Sequence, residues 1–219
     1  MKIEILTREQ TVFLELFGKE RLLTRQFYLS GGTPLAAFYL QHRYSEDLDF
    51  FSEEEVDPSA IQVFLKKNKK KLGFKSVDFQ QSYNRNLFFL HYPKDVLKTE
   101  FTYYPFPRIE PGSTYHGVAV DSLLDIAVNK LFTIYQRTKA RDYIDLYVIC
   151  QKEGYTITDL LKNAKIKFDW HIDPLQLGSQ FLKAKDAEDM TRLILKIPQQ
   201  EWQAFFTREA ERLGKRVLK

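Results

Sequence analysis

The sequence predicts an α+β fold, a mixed or antiparallel sheet with flanking helices followed by a helical C-terminal lobe. Three observations predict it. Residues 74–81, 87–92 and 96–104 are strand-like segments joined by turn-rich links, Tyr83-Asn84-Arg85-Asn86 and Pro93-Lys94-Asp95. Helix-start signals followed by apolar residues at helical spacing precede them. Beyond the stretch 105–113, which holds three prolines and a glycine, nearly everything reads as helix.

Each element has its own warrant. Thr7 and Gln10 form a capping box for a helix carrying Val12, Phe13, Leu16 and Phe17 on one face. A short strand follows near Phe27–Leu29. Gly31-Gly32 is a tight turn, and Thr33-Pro34 reads as N-cap and N1 proline of a helix over Leu35–Gln41. Ser45–Phe51 is strand-like. Asp57-Pro58 opens a helix that carries the lysine run of residues 66–71 and stops at Gly73. After the hairpins, one strand is expected over Tyr115–Val120. Asp121 then caps a helix over Ser122–Gln136, Ala140–Lys152 is the next, and Asp173-Pro174 and Pro198 open later ones. The expected division is residues 1–112 as a mixed α and β core and 113–219 as a mainly helical lobe that contributes to the cleft.

Composition narrows the class. A chain of 219 residues with 44% hydrophobic and 28% charged residues reads as soluble and globular. A net charge of +4 permits a nucleotide or nucleic-acid partner without demanding one. Cys150 is the single cysteine, which excludes an intrachain disulfide, and His42, His91, His116 and His171 lack zinc-ligand spacing. The start MKIEILTREQ does not read as a signal peptide, and no apolar run approaches the ~20 residues of a membrane span. The expectation is a cytoplasmic protein.

The stretch YLSGGTPLAAFYLQHRYSEDLDFF, residues 28–51, carries the first chemical signal. Residues two apart on a strand face the same way, so Asp47 and Asp49 project together while Leu48 and Phe50 face away. Two carboxylates so placed repel and call for a strong cation. A hard divalent ion, Mg²⁺ or Mn²⁺, suits oxygen ligands, and an exposed, solvated strand end is the plainer alternative. Backbone amides at Gly31, Gly32 and Thr33 would form an anion site at a helix start, though no Gly-Lys-Ser/Thr follows to make a P-loop. Glu100, in VLKTEFTYY, is a third carboxylate. It either points into a cleft or pairs with Lys98 or a cross-strand lysine. Lys130 lies in the apolar run IAVNKLF and either snorkels or reaches for phosphates. Asp142 and Asp145, three apart, share a helix face, and Arg141 could pair with Asp145 on a solvated surface. The lysine run is a solvated helix face or a phosphate-backbone contact.

Three motifs in order carry a resemblance. LSGGTPLAAFYL with RYSEDLDFF, LKTEFTYYP, and DSLLDIAVNKLFTIYQRTKARDYIDLYVI together resemble the nucleotidyltransferase superfamily with the polymerase-beta-like core. Within it the chain looks like the AbiEii/AbiGii toxin family of toxin–antitoxin and phage-defence systems. The resemblance spans roughly residues 26–150, and one departure is Ser30, where members often carry lysine. It implies a metal-dependent enzyme that moves an NMP from an NTP to an acceptor and releases pyrophosphate. Asp47, Asp49 and Glu100 would be metal ligands. Lys130 and Asp142 would join them as catalytic residues. Gly31, Gly32, Thr33, Arg43, Ser45, Lys130, Arg137, Lys139 and Asp145 would contact the nucleotide. The implied acceptor is RNA, a tRNA 3′ end, and the implied partner an antitoxin. Transfer to a small molecule, or a catalytically silent binding module of the same fold, are the alternatives.

Overall fold

A computed structural model describes residues 4–187 and 191–217. The chain divides into two compact units, Met1–Tyr39 with Ser45–Ser122, and Leu40–Tyr44 with Leu123–Lys219.

The first unit opens with α1 (Arg8–Phe17), and its capping box forms as the sequence reads: Thr7 accepts from the Gln10 amide and the Gln10 side chain accepts from Thr7. A second, six-residue helix, α2 (Arg21–Gln26), has no side-chain cap, so nothing local announced it. Strand β1 (Tyr28–Ser30) leads into α3 (Gly32–Pro34), which continues with wider π-helical turns over Leu35–Leu40. The N-cap is Gly31, at φ 82°, and not Thr33 as the sequence suggests. The positive φ of Gly31 starts the helix two residues early and frees the Thr33 hydroxyl for another task. Strand β2 is Leu48–Ser52, so Asp47 sits just before it. Helix α4 (Pro58–Leu72) has Asp57 as N-cap, accepting from the Ser59 amide, and ends at left-handed Gly73, as read from the sequence.

Strands β3 (Ser76–Ser82), β4 (Arg85–His91) and β5 (Val96–Tyr103) form the expected hairpins. The single strand expected over 115–120 is instead a hairpin of β6 (Thr114–Tyr115) and β7 (Val118–Val120). His116 and Gly117 turn between them at φ 48° and 84°, the two positive values a tight two-residue hairpin asks for. Among the described residues the sheet has seven strands in the order β3-β4-β5-β2-β1-β7-β6. β2 runs parallel to β5 and antiparallel to β1, and β7 pairs parallel to β1. That last pairing keeps the β6–β7 hairpin with the sheet, so the unit extends past the proline-rich stretch.

Strand alternation gives the sheet two unlike faces. Phe50, Phe88, Phe101 and Leu29 point to one side, where α1 and α4 bring Phe13, Phe17 and Phe64 against them. Residues one position away, Asp49 and Glu100 among them, point to the other.

The second unit contains α5 (Leu123–Gln136), α6 (Ala140–Glu153), α7 (Ile157–Phe168), α8 (Pro174–Leu182) and α9 (Gln199–Val217). Tyr143, Phe181, Trp202 and Phe206 form its aromatic centre. The segment Leu40–Tyr44 belongs here because Tyr44 donates to the Arg192 carbonyl and Ile194 to that of His42.

Candidate active site

In the first unit, three carboxylates meet on the face of the sheet away from α1 and α4. Asp49 and Glu100 are direct neighbours in the β2–β5 register. Asp47 joins them through Lys98, whose Nζ lies 3.0 Å from Asp47 Oδ2 and 3.7 Å from Glu100 Oε2. Glu100, 5% exposed, is also gripped by Arg85 through two bonds of 2.6 Å and accepts from the Thr102 hydroxyl. Burial alone would raise the Glu100 pKa, but Arg85, Thr102 and Lys98 outweigh it and hold the carboxyl below its ordinary range. Burial likewise pulls the Lys98 ammonium down, and Asp47, Asp49 and Glu100 more than restore it. Glu100 and Lys98 are therefore both charged at neutral pH.

The loop bearing these acids is fixed from several sides. Gln10 uses its side-chain amide on the carbonyls of Ser45 and Glu46, at 3.1 and 3.0 Å, so the residue that closes the α1 cap also pins the approach to Asp47. The Thr33 hydroxyl donates to the Asp47 carbonyl. Ser30, opposite Asp49 in the β1–β2 register, donates to Asp121 at 2.7 Å. Gly31 has two reasons to be glycine. Its φ is positive, and a Cβ there would stand 2.7 Å from Asp49 Oδ2. Gly32 and Thr33 supply first-turn amides, which have no acceptor within their own helix.

Among the described residues no three carboxylate, imidazole or thiol groups are grouped to hold an ion as they stand, since Asp47 and Glu100 are turned onto Lys98 and Arg85. The donor set nonetheless suits Mg²⁺ or Mn²⁺. It consists of hard carboxylate oxygens on adjoining strands, and the missing Cβ of Gly31 leaves room beside Asp49.

The remaining sequence candidates gather in the second unit. Lys130, 9% exposed, places Nζ 2.7 Å from both Asp142 Oδ1 and Asp145 Oδ2. Arg43 forks onto Asp145 at 2.6 and 2.8 Å, and His42 Nε2 lies 2.7 Å from the same carboxylate. Arg137 contacts Asp142 at 3.0 Å, and Lys139 is the N-cap residue of α6. Burial opposes the charge on Asp145, yet Lys130, Arg43 and His42 hold it well below the usual carboxylate range; Lys130 and Arg137 lower Asp142 against the same opposition. Asp145 thus turns inward to Lys130, Arg43 and His42, whereas Arg141 is exposed. The network anchors the chain at Arg43, four residues before Asp47.

Sequence reasoning missed Arg85, Gln10 and His42. Arg85 reads from the sequence as part of the 83–86 turn, but it is the first residue of β4, and only the β4–β5 register sets it opposite Thr102 and beside Glu100. Gln10 was visible as a cap but not as a clamp. His42 gave no signal beyond its place in the RYSEDLD approach. Lys98 was visible, two residues before Glu100 on the same strand face.

A glycine-turned helix start beside clustered strand carboxylates defines the class, a nucleotidyltransferase-like fold. Two crystal structures from Helicobacter pylori share it. JHP933 matches with a TM-score of 0.61 at 20% identity, over 96% of this chain and 90% of that one. A provisionally named nucleotidyltransferase matches with a TM-score of 0.63 at 20% identity, over 99% and 97%. An uncharacterized protein of Aquifex aeolicus, aq_aa25, is 28% identical over 193 residues, 86% of this chain and 88% of its own length. The family model for the nucleotidyl transferase AbiEii toxin of type IV toxin–antitoxin systems matches residues 16–213, and the chain belongs to that family. Nucleotidyl transfer is its activity.

Proposed function

We propose that the chain moves an NMP from an NTP to an RNA acceptor, a tRNA 3′ end, as the toxin of its system, with Mg²⁺ or Mn²⁺ on Asp47, Asp49 and Glu100. The carrying observation is the register that sets Asp49 beside Glu100, with Asp47 tied to both through Lys98. A bound divalent ion supplies charge neutralisation at the triphosphate and lowers the pKa of an attacking hydroxyl. The protein's own residues do the rest. Gly32 and Thr33 amides receive phosphate oxygens at the helix start. Gln10 and Thr33 hold the acid loop in place, Glu100 keeps the ligand position on β5, and the proton of the acceptor hydroxyl passes to water. The new bond joins that hydroxyl oxygen to the α-phosphorus, and the bond to pyrophosphate breaks. Lys130 and Arg137 are proposed, on the resemblance, as phosphate contacts, shared with the carboxylate of Asp142 that already engages them. An antitoxin is the proposed protein partner. No helix among the described residues is long and apolar enough to cross a membrane.

The test is incubation with each labelled NTP, Mg²⁺ and total cellular RNA. Metal-dependent label on RNA is expected. Label on a small hydroxylated compound would replace the RNA acceptor, and absence of any turnover would leave only a binding module. Gly31→Ala should cut transfer about a hundredfold, because displacement of Asp49 by an ångström is enough. Its circular dichroism should remain that of the parent protein, and full activity in this variant would remove Asp49 from the site.

The lysine run sits on α4, across the sheet from the acids, so an RNA that touches it must wrap the β3 edge. Replacing Lys66, Lys69 and Lys70 with Gln should therefore weaken binding of full-length tRNA and flatten its salt dependence. A short oligonucleotide carrying only the 3′ end should bind both proteins alike. Coincident salt slopes for tRNA would make the run a solvated helix face.

A further inference from the structure

Lys98 occupies the position that a metal ion would contest. It stands two residues before Glu100 on β5, on the same strand face, and its ammonium links Glu100 to Asp47 just ahead of β2. Only a quarter of its side chain is exposed. Three clustered carboxylates cannot all stay ionised without a nearby cation. Among the described residues Lys98 and Arg85 meet these acids, and the two differ in kind. Arg85 grips Glu100 through both arms of a planar guanidinium, a geometry that resists displacement. The Lys98 ammonium is a point charge on a flexible four-carbon stem, within 4 Å of two acids and bidentate to neither. It can withdraw without disturbing either strand.

We propose that Lys98 is the built-in counterion of the acidic site, holding Asp47 and Glu100 together in the metal-free protein and competing with the divalent ion for them. The proposal rests on the assignment of Asp47, Asp49 and Glu100 as metal ligands. It gives the site a threshold. Without the ion the acids are neutralised and their loop stays ordered. The ion binds only when its concentration outcompetes an ammonium that is always present, so the site fills at a higher metal concentration than three bare carboxylates would require.

The test is Mn²⁺ binding in the absence of nucleotide, read by the loss of the free-ion signal in electron paramagnetic resonance, together with melting curves in EDTA. Lys98→Met keeps most of the stem and removes the charge. It should bind Mn²⁺ at least tenfold more tightly than the wild type, about 1.4 kcal/mol, and melt lower in EDTA, with added Mn²⁺ restoring more stability than in the wild type. Lys98→Arg, which keeps a cation, should not show the gain in affinity. Should Lys98→Met fail to fold, Lys98→Gln carries the same comparison. Unchanged or weaker Mn²⁺ binding in the neutral variant, in a protein where Asp49→Asn abolishes it, overturns the competitor role and leaves the metal assignment standing. No Mn²⁺ binding by wild type or variant, with or without NTP, overturns both.

Discussion

Asp49→Asn should abolish nucleotidyl transfer, with a loss of at least a thousandfold, about 4 kcal/mol, while the metal-free protein melts at the same temperature or higher. Asp49 is the centre of its group, opposite Ser30 on β1 and Glu100 on β5, with Gly31 stripped of a Cβ beside its carboxylate. Asparagine keeps the shape and one oxygen but cannot carry the charge that a divalent ion needs from its ligand. The stability half follows from local charge. Asp49 and Glu100 are direct neighbours across β2 and β5, and two ionised carboxylates so placed repel each other. Replacing one of them by an amide removes that repulsion. Turnover of labelled NTP and a thermal melt in EDTA check the two halves separately. A clear fall in melting temperature would make Asp49 a structural anchor, and retained turnover would move the chemistry away from β2.

Much of the fold was legible because its signals are local. The Thr7–Gln10 box and the Asp57-Pro58 start and Gly73 stop of α4 depend on a few adjacent residues and stand where the sequence put them, while the link expected over 83–86 shortens to Tyr83-Asn84, with Arg85 and Asn86 already in β4. The errors fall where one residue's backbone angle decides between alternatives. Thr33 looks like a cap, but Gly31 takes the role because only glycine readily holds φ near 82° there. His116-Gly117 was read through as strand although both residues turn at positive φ. The candidate site was legible in part for the same reason. Strand alternation marks which acids share a face. It says nothing of which cation from another strand meets them, so Arg85 stayed hidden. For Lys130 the sequence offered snorkelling or phosphate. The buried arrangement with Asp142 and Asp145 needed helices α5 and α6 brought side by side.

Asp145→Asn should cost about 3–5 kcal/mol of stability, the range for removing one partner from a buried ion pair, against a total of about 5–15 for an ordinary domain. Asp145 is fully buried and answers three partners at once, Arg43, His42 and Lys130. An amide cannot satisfy two buried cations, and although Asp142 retains Lys130, the Arg43 guanidinium loses its fork. The pH dependence carries a second signature. Asp145, Asp142 and Glu100 all titrate lower in the folded protein than in the unfolded chain, where carboxyls titrate near ~4. Their stabilisation is therefore complete above pH ~4 and is lost as pH falls through the lower folded values, because the unfolded chain takes up protons that the native state refuses. Deleting Asp145 removes up to one such proton, so below pH ~4 the stability of the variant should fall less steeply, by up to about 1.4 kcal/mol per pH unit. Urea titrations at neutral pH and across the acid range measure both. The double variant Lys130→Met/Asp145→Asn isolates the coupling between these two side chains. If Lys130 is held by this network, the two changes should be non-additive by about 1 kcal/mol or more, the double variant being less damaged than the sum. Strict additivity, with a small effect of Asp145→Asn, would mean that the network does not hold Arg43 and the chain before Asp47, and that their order comes from Gln10 and Thr33 alone.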